Sequence, residues 1–123
     1  MAIKKRKEQP ADIFVRSYQT VFITVNIGNA QIGGSVLKFK KSPDVFAKGK
    51  IRNLKIGKGE DLVGKTLKIT TNVLDSNSST NKISITHDFN NGVPPTFPFY
   101  GTVDNDGDVF SLTTEYVFKI EIL

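Results

Sequence analysis

The stretch Gly64–Phe89, GKTLKITTNVLDSNSSTNKISITHDF, decides the fold class. Leu67, Ile69, Thr71 and Val73 alternate with Lys68, Thr70 and Asn72. After a polar interval, Ile83, Ile85, His87 and Phe89 alternate with Lys82, Ser84, Thr86 and Asp88. A period of two places each apolar set on one face of a half-buried strand. The interval from Asp75 to Asn81 is DSNSSTN, whose short polar side chains bond their own backbone and favour turns. The pattern predicts a long antiparallel hairpin. Leu67, Ile69, Val73, Ile83 and Ile85 are expected on one buried face. They should meet Phe118, Ile120 and Ile122, or Val21, Ile23 and Val25, across a core.

The flanking sequence continues in the same style. Residues 13–27 hold a strand with Gln19, Val21, Ile23, Val25 and Ile27 on one face and Tyr18, Phe22 and Asn26 on the other. Gly28-Asn29 and Gly33-Gly34 punctuate the chain. Residues 35–40 and 50–56 read as strands rich in lysine. Residues 93–101, VPPTFPFYG, hold three prolines, which excludes a helix or a central strand and leaves an extended edge segment or a surface loop. A last strand system runs from Val109 to the end, with Tyr116, Phe118, Ile120 and Ile122 on one face.

Composition agrees. Valine, isoleucine and threonine exceed a quarter of the 123 residues, whereas alanine occurs four times. Branched side chains pack well on pleated sheets and lose rotamer freedom in helices. The expected fold is all-β: an antiparallel β-sandwich of the jelly-roll, C2-like or immunoglobulin-like kind, with about seven or eight strands. A small β-barrel is the alternative. One domain is expected over residues 13–123, preceded by a flexible basic tail over residues 1–12. There is no cysteine, so no disulfide or thiolate chemistry is possible. The N-terminal sequence lacks the apolar core of a secretory signal, and a cytoplasmic location is expected.

Charge is unevenly placed along the chain, which carries a net +5. Residues 1–8 carry a net +3. Residues 38–68 hold ten lysines and arginines against Asp44, Glu60 and Asp61. Residues 69–123 hold Lys82 and Lys119 against seven acids. A basic middle beside an acidic end points to an acidic partner, or to copies meeting head to tail.

Several constellations bear on chemistry. GEDLVGKT, residues 59–66, matches the letters of a phosphate-binding loop. The motif must open a helix, however, and LKITTNVLD that follows is β-patterned, so a loop between strands is expected. Asp104, Asp106, Asp108 and Glu115 match the first, third, fifth and twelfth ligands of a calcium loop. The required glycine at the sixth position is Val109, so a hairpin turn or a weak calcium site is expected. His87, the only histidine, falls on an apolar face and reads as a core residue. Phe97, Phe99 and Tyr100 either cover an open end of the core or form an aromatic ledge for a partner.

No complete catalytic set is present. This favours a non-catalytic interaction or assembly module whose partner is a protein or a copy of itself, using the basic 38–68 and acidic 69–123 regions. The alternative is a polyanion-binding domain for nucleic acid or an anionic membrane surface. The contacts would be Lys4, Lys5, Arg6 and Lys7 with Lys38, Lys40, Lys50, Arg52 and Lys55 in the 38–58 patch. No cofactor and no small-molecule substrate are expected.

Overall fold

A computed structural model describes residues 1–121. The strands are β1 (Ile3–Glu8), β2 (Ile13–Val15), β3 (Thr20–Ile27), β4 (Ile32–Phe39), β5 (Ala47–Gly49) and β6 (Leu54–Lys58). A single helical turn, α1 (Gly59–Leu62), precedes β7 (Thr66–Leu74), β8 (Lys82–Asn90), β9 (Gly92–Val93), β10 (Thr96–Thr102) and β11 (Val109–Ile120). They form a sandwich-like pair of sheets. One runs β5-β4-β7-β11-β2-β9, with β1 also on β11, and the other runs β10-β8-β3-β6. The eleven strands exceed the seven or eight expected, because β2, β5 and β9 are short pieces that pattern alone does not separate.

The alternation of the defining stretch is as read, but its topology is not a hairpin. β7 pairs with β4 and β11, whereas β8 pairs with β3 and β10 in the other sheet. The chain between them arches across the core. A hairpin and an arch demand the same alternation, since each strand buries one face in either case. Seven residues easily span the ~10 Å between packed sheets. What holds the arch is a polar clamp at its start. Gln31 donates to the Asp75 carboxylate at 2.7 Å, and its carbonyl oxygen accepts from the amides of Ser76 and Asn77 at 2.8 and 2.9 Å.

The core fills the gap between the sheets. Leu67, Ile69 and Val73 of β7, with Phe110, Leu112, Tyr116 and Phe118 of β11, face Val21 and Ile23 of β3 and Ile83, Ile85 and Phe89 of β8. β11 is therefore a neighbour of β7 in its own sheet and not its partner across the core. Ile120 is exposed near the end of β11, and Ile122 lies outside the described residues. The Tyr116 ring packs edge-on against Phe89 and Phe97 at 4.9 and 5.1 Å.

The N-terminal segment differs from the expected flexible tail. Ile3–Glu8 is β1, paired in parallel with Val109–Thr114 of β11. β2 continues along the same edge, opposite Phe118–Ile120. Twelve-residue β11 is too long for β2 alone to cover. A charged strand satisfies its ladder as well as an apolar one, because ladder bonds come from the backbone. That is why composition did not reveal it.

The arch makes a quantitative prediction. Ile85→Ala should cost roughly 2–5 kcal/mol, because it removes buried methyls and leaves a cavity. Thr86→Ala, on the outer face of the same strand, should cost under about 1 kcal/mol. Urea denaturation of the two variants checks this, and equal costs would contradict the alternation.

Candidate binding surface

The cations divide between two sides of the sandwich. β5 and β6 are edge strands of their respective sheets, and the crossover between them puts both on one side, since Gly49 pairs with Ser35 of β4 and the Ile51 carbonyl accepts from Val25 of β3. Lys48 on β5, Lys50 and Arg52 in the crossover, and Lys55 and Lys58 on β6 stand exposed along it. None has a carboxylate within ion-pair distance among the described residues. Lys38 lies nearby on β4, directly opposite Lys68 of β7, a like-charge pair that weakens the ladder. Lys40 is neutralised by Glu115 at 3.2 Å.

Lys4, Lys5, Arg6 and Lys7 lie on β1, with β11 and β7 between them and β4. The two basic groups of the sequence do not merge into one patch. Arg6 is a seam residue. It donates to the Tyr100 carbonyl and to Glu8 at 2.8 Å, and its guanidinium stands 6.0 Å from the Phe110 ring centre. Nor do the acids form one counter-face. Asp75 and Asp108 are buried, Asp88 bonds Asn26 and Thr96, and Glu121 bonds Arg16.

A groove opens on the basic side. It has a volume of about 520 Å³ and runs between Thr24–Ile27 of β3, Ile32–Ser35 of β4 and the Gly49–Arg52 crossover. β6 pairs only with Thr20–Ile23 of β3, and β5 only with Ser35–Leu37 of β4. The remainder of each strand therefore presents an open edge to the groove. The Val25 amide is tied there to the Ile51 carbonyl at 2.9 Å. Sequence reading missed this groove. Its signal was Gly33-Gly34, glycines inside a strand rather than in a turn.

The other candidate sites resolve into structural roles. In the phosphate-loop match, Gly59–Leu62 is helical but Lys65-Thr66 runs into β7, and the Lys65 ammonium sits 5.6 Å from the Phe39 ring centre. Gly59 is required by packing, since a Cβ there would lie 2.1 Å from the Arg16 carbonyl oxygen. Gly64 turns the chain at φ +86°.

The four candidate calcium ligands are not brought together. Asp108 accepts from the Ala2 amide at 2.9 Å and from the Asn105 amide at 3.1 Å. These bonds, that from Ala2 first, hold its carboxyl below the usual carboxylate range despite burial. Asp104 and Asp106 face solvent, and Glu115 sits on the outer face of β11. Among the described residues, no three acidic, histidine or cysteine side chains gather as a metal site. The aromatic ledge is also largely internal. Phe97 and Phe99 are buried against Phe89, Tyr116 and His87, and only Tyr100, 68% exposed, stands free.

His87 is fully buried, with Nδ1 2.6 Å from the Tyr116 hydroxyl across the two sheets. Its Nε2 has no partner among the described residues. Burial alone pushes its pKa down to about 3, and burial pushes that of Tyr116 up against the lowering effect of a side-chain hydrogen bond with Thr114. This is an interior joint with no access to a substrate.

No protein-family model, curated protein or solved structure matches this chain. No helix of the described residues is long and apolar enough to cross a membrane.

The joint predicts how stability varies with pH. At about pH 7.5 and above His87 is neutral in both folded and unfolded chains, and its contribution is complete. Below that, the unfolded chain takes up a proton that the folded chain refuses until about pH 3. The loss should reach about 1.4 kcal/mol between roughly pH 7.5 and 5.5. Urea denaturation of the parent should show this loss, and His87→Gln, which cannot titrate, should remove it. An equal fall in both proteins would exclude His87 as the cause.

Proposed function

We propose that this domain is a non-catalytic module that binds an acidic protein surface through the cations of its β5/β6 side. One observation carries the reading: Lys48, Lys50, Arg52, Lys55 and Lys58 stand exposed together without carboxylate partners among the described residues. Mutual repulsion of such a group disfavours the free state, and an acidic partner relieves it.

A protein is favoured over single-stranded nucleic acid by the lining of the groove beside these cations. Bases need flat side chains in solvent on which to stack. The groove is lined by Val25, Ile27, Ile32 and Ile51 with no aromatic side chain among the described residues, and Phe46, 44% exposed, lies outside it, edge-on against Phe39 at 5.2 Å. The basic β1 lies too far away to extend the surface. A head-to-tail assembly of copies has less support, because the acids are scattered and several are already bonded.

Titration with polyglutamate and with single-stranded DNA tests the reading. Polyglutamate should bind at about 50 mM salt and be released at about 300 mM, as exposed charge pairs are screened. Reversing Lys48, Lys55 and Lys58 to glutamate should weaken it at least about tenfold, and reversing Lys4, Lys5 and Lys7 should have a smaller effect. Tighter binding of DNA would favour the polyanion reading instead. Self-association at low salt, reversed by added salt, would make a second copy the acidic partner.

A further inference from the structure

The groove specifies how that partner docks. We propose that an extended acidic segment of a partner protein lies in the groove between β3 and β4 and adds as a strand to their open edges, an inference that rests on the binding reading above.

The edges formed by β1, β5, β6 and β10 each carry a guard against pairing. β1 carries Lys4, Lys5, Arg6 and Lys7, β5 is three residues long, β6 carries Lys55 and Lys58, and β10 carries Pro98. Charge, shortness and proline are the devices by which an edge avoids pairing with another chain. Asn26-Ile27 of β3 and Ile32–Gly34 of β4, short as they are, carry neither a charged residue nor a proline.

Hydrogen-bond parity fixes what these edges offer. Gly28 donates to Ser84, so even-numbered residues of β3 bond β8, and Ile27 points its N–H and C=O to the groove side, as Val25 does toward Ile51. Lys40 donates to Thr66, so even-numbered residues of β4 bond β7, and Gly33 points to the groove side. Neither Ile27 nor Gly33 has a strand partner on that side.

The lining supports a close-lying backbone. Gly33, Gly34 and Gly49 leave a strip of the groove without side chains. Packing demands the first, since a Cβ at Gly33 would lie 2.4 Å from the Asn72 carbonyl oxygen, and Gly49 has φ +103°. Gly34 has no such internal reason, because a Cβ there would meet only ordinary contacts at 3.6 Å and beyond. Its bare position serves the approach of something outside. Val25, Ile27 and Ile51 supply an apolar floor, and exposed Lys50 and Arg52 supply a cationic rim. Alternating side chains of an added strand match this division, one set apolar and inward, the other acidic and outward. The volume of about 520 Å³ is that of a ligand-sized cleft.

The experiment uses a fluorescent peptide of alternating valine and glutamate, the same peptide N-methylated on alternate residues, polyglutamate, and the whole protein. The alternating peptide should bind more tightly than polyglutamate and shift the Ile27 and Gly33 amide resonances. N-methylation should weaken it at least about tenfold, because it removes ladder donors. Gly34→Val, whose Cβ meets only ordinary contacts and whose branching suits a strand, should weaken it as much while leaving the thermal midpoint unchanged or raised. Charge reversal at Lys50 and Arg52 should weaken both ligands.

Equal affinity for the two peptides and polyglutamate, with no response to Gly34→Val and shifts confined to Lys48, Lys55 and Lys58, would overturn strand addition and leave the basic-surface reading standing. Failure of every acidic ligand to bind at low salt would overturn both.

Discussion

The arch from Leu74 to Lys82 is the constraint on which the two-sheet arrangement depends, and Gln31 is its anchor. One side chain satisfies three groups of the arch: it donates to Asp75 and accepts from the amides of Ser76 and Asn77. Asp75 is itself buried, its amide bonds the Asp108 carbonyl, and its carbonyl accepts from Gly107. The β3–β4 loop, the β7–β8 arch and the β10–β11 turn are thereby tied at one end of the sandwich. Buried polar groups of this kind are costly to leave unpaired, so they penalise alternatives in which β7 and β8 pair in one sheet.

Between the sheets a second polar joint, His87 with Tyr116, sits among Phe89, Phe97 and Phe99. The two joints differ in kind. The Gln31 clamp directs where the chain turns. The histidine joint aligns inner faces that aromatic packing already holds together, and it makes that alignment sensitive to protons because burial disfavours the charged imidazole.

Much of this was legible in the sequence, and the parts that were not share one cause. Alternation located the inner residues of β3, β7 and β8 and, on β11, Tyr116 and Phe118 but not the exposed Ile120, because burial on one face dictates a period of two. The prolines of 94–98 predict an extended edge segment or a surface loop, since they cannot donate to a ladder, and the structure has both: Pro98 lies on edge strand β10, and Pro94 and Pro95 lie in the connection before it. Pairing itself was not legible. The pattern predicts a hairpin where the chain arches and a tail at Lys4–Lys7, because partner choice depends on backbone bonds that side-chain pattern does not encode. The same blindness hid the groove. Its functional signature is backbone left unpaired at Ile27 and Gly33, and only the strip of glycines at 33 and 34 hinted at it. Charge was legible in amount and not in place: β1 moves four basic residues to the side away from β5 and β6.

What connects fold to function is the pairing left incomplete on the basic side. β6 stops at Ile23 and β5 stops at Ser35, and the crossover that joins them carries Lys50 and Arg52. Amide hydrogen exchange on the unliganded protein tests this most directly. Ladder amides of the core strands, such as that of Thr86, should exchange orders of magnitude more slowly than those of Ile27 and Gly33, since the latter two lack a strand partner. Protection of Ile27 and Gly33 equal to that of Thr86 would show the edges closed and would contradict the account.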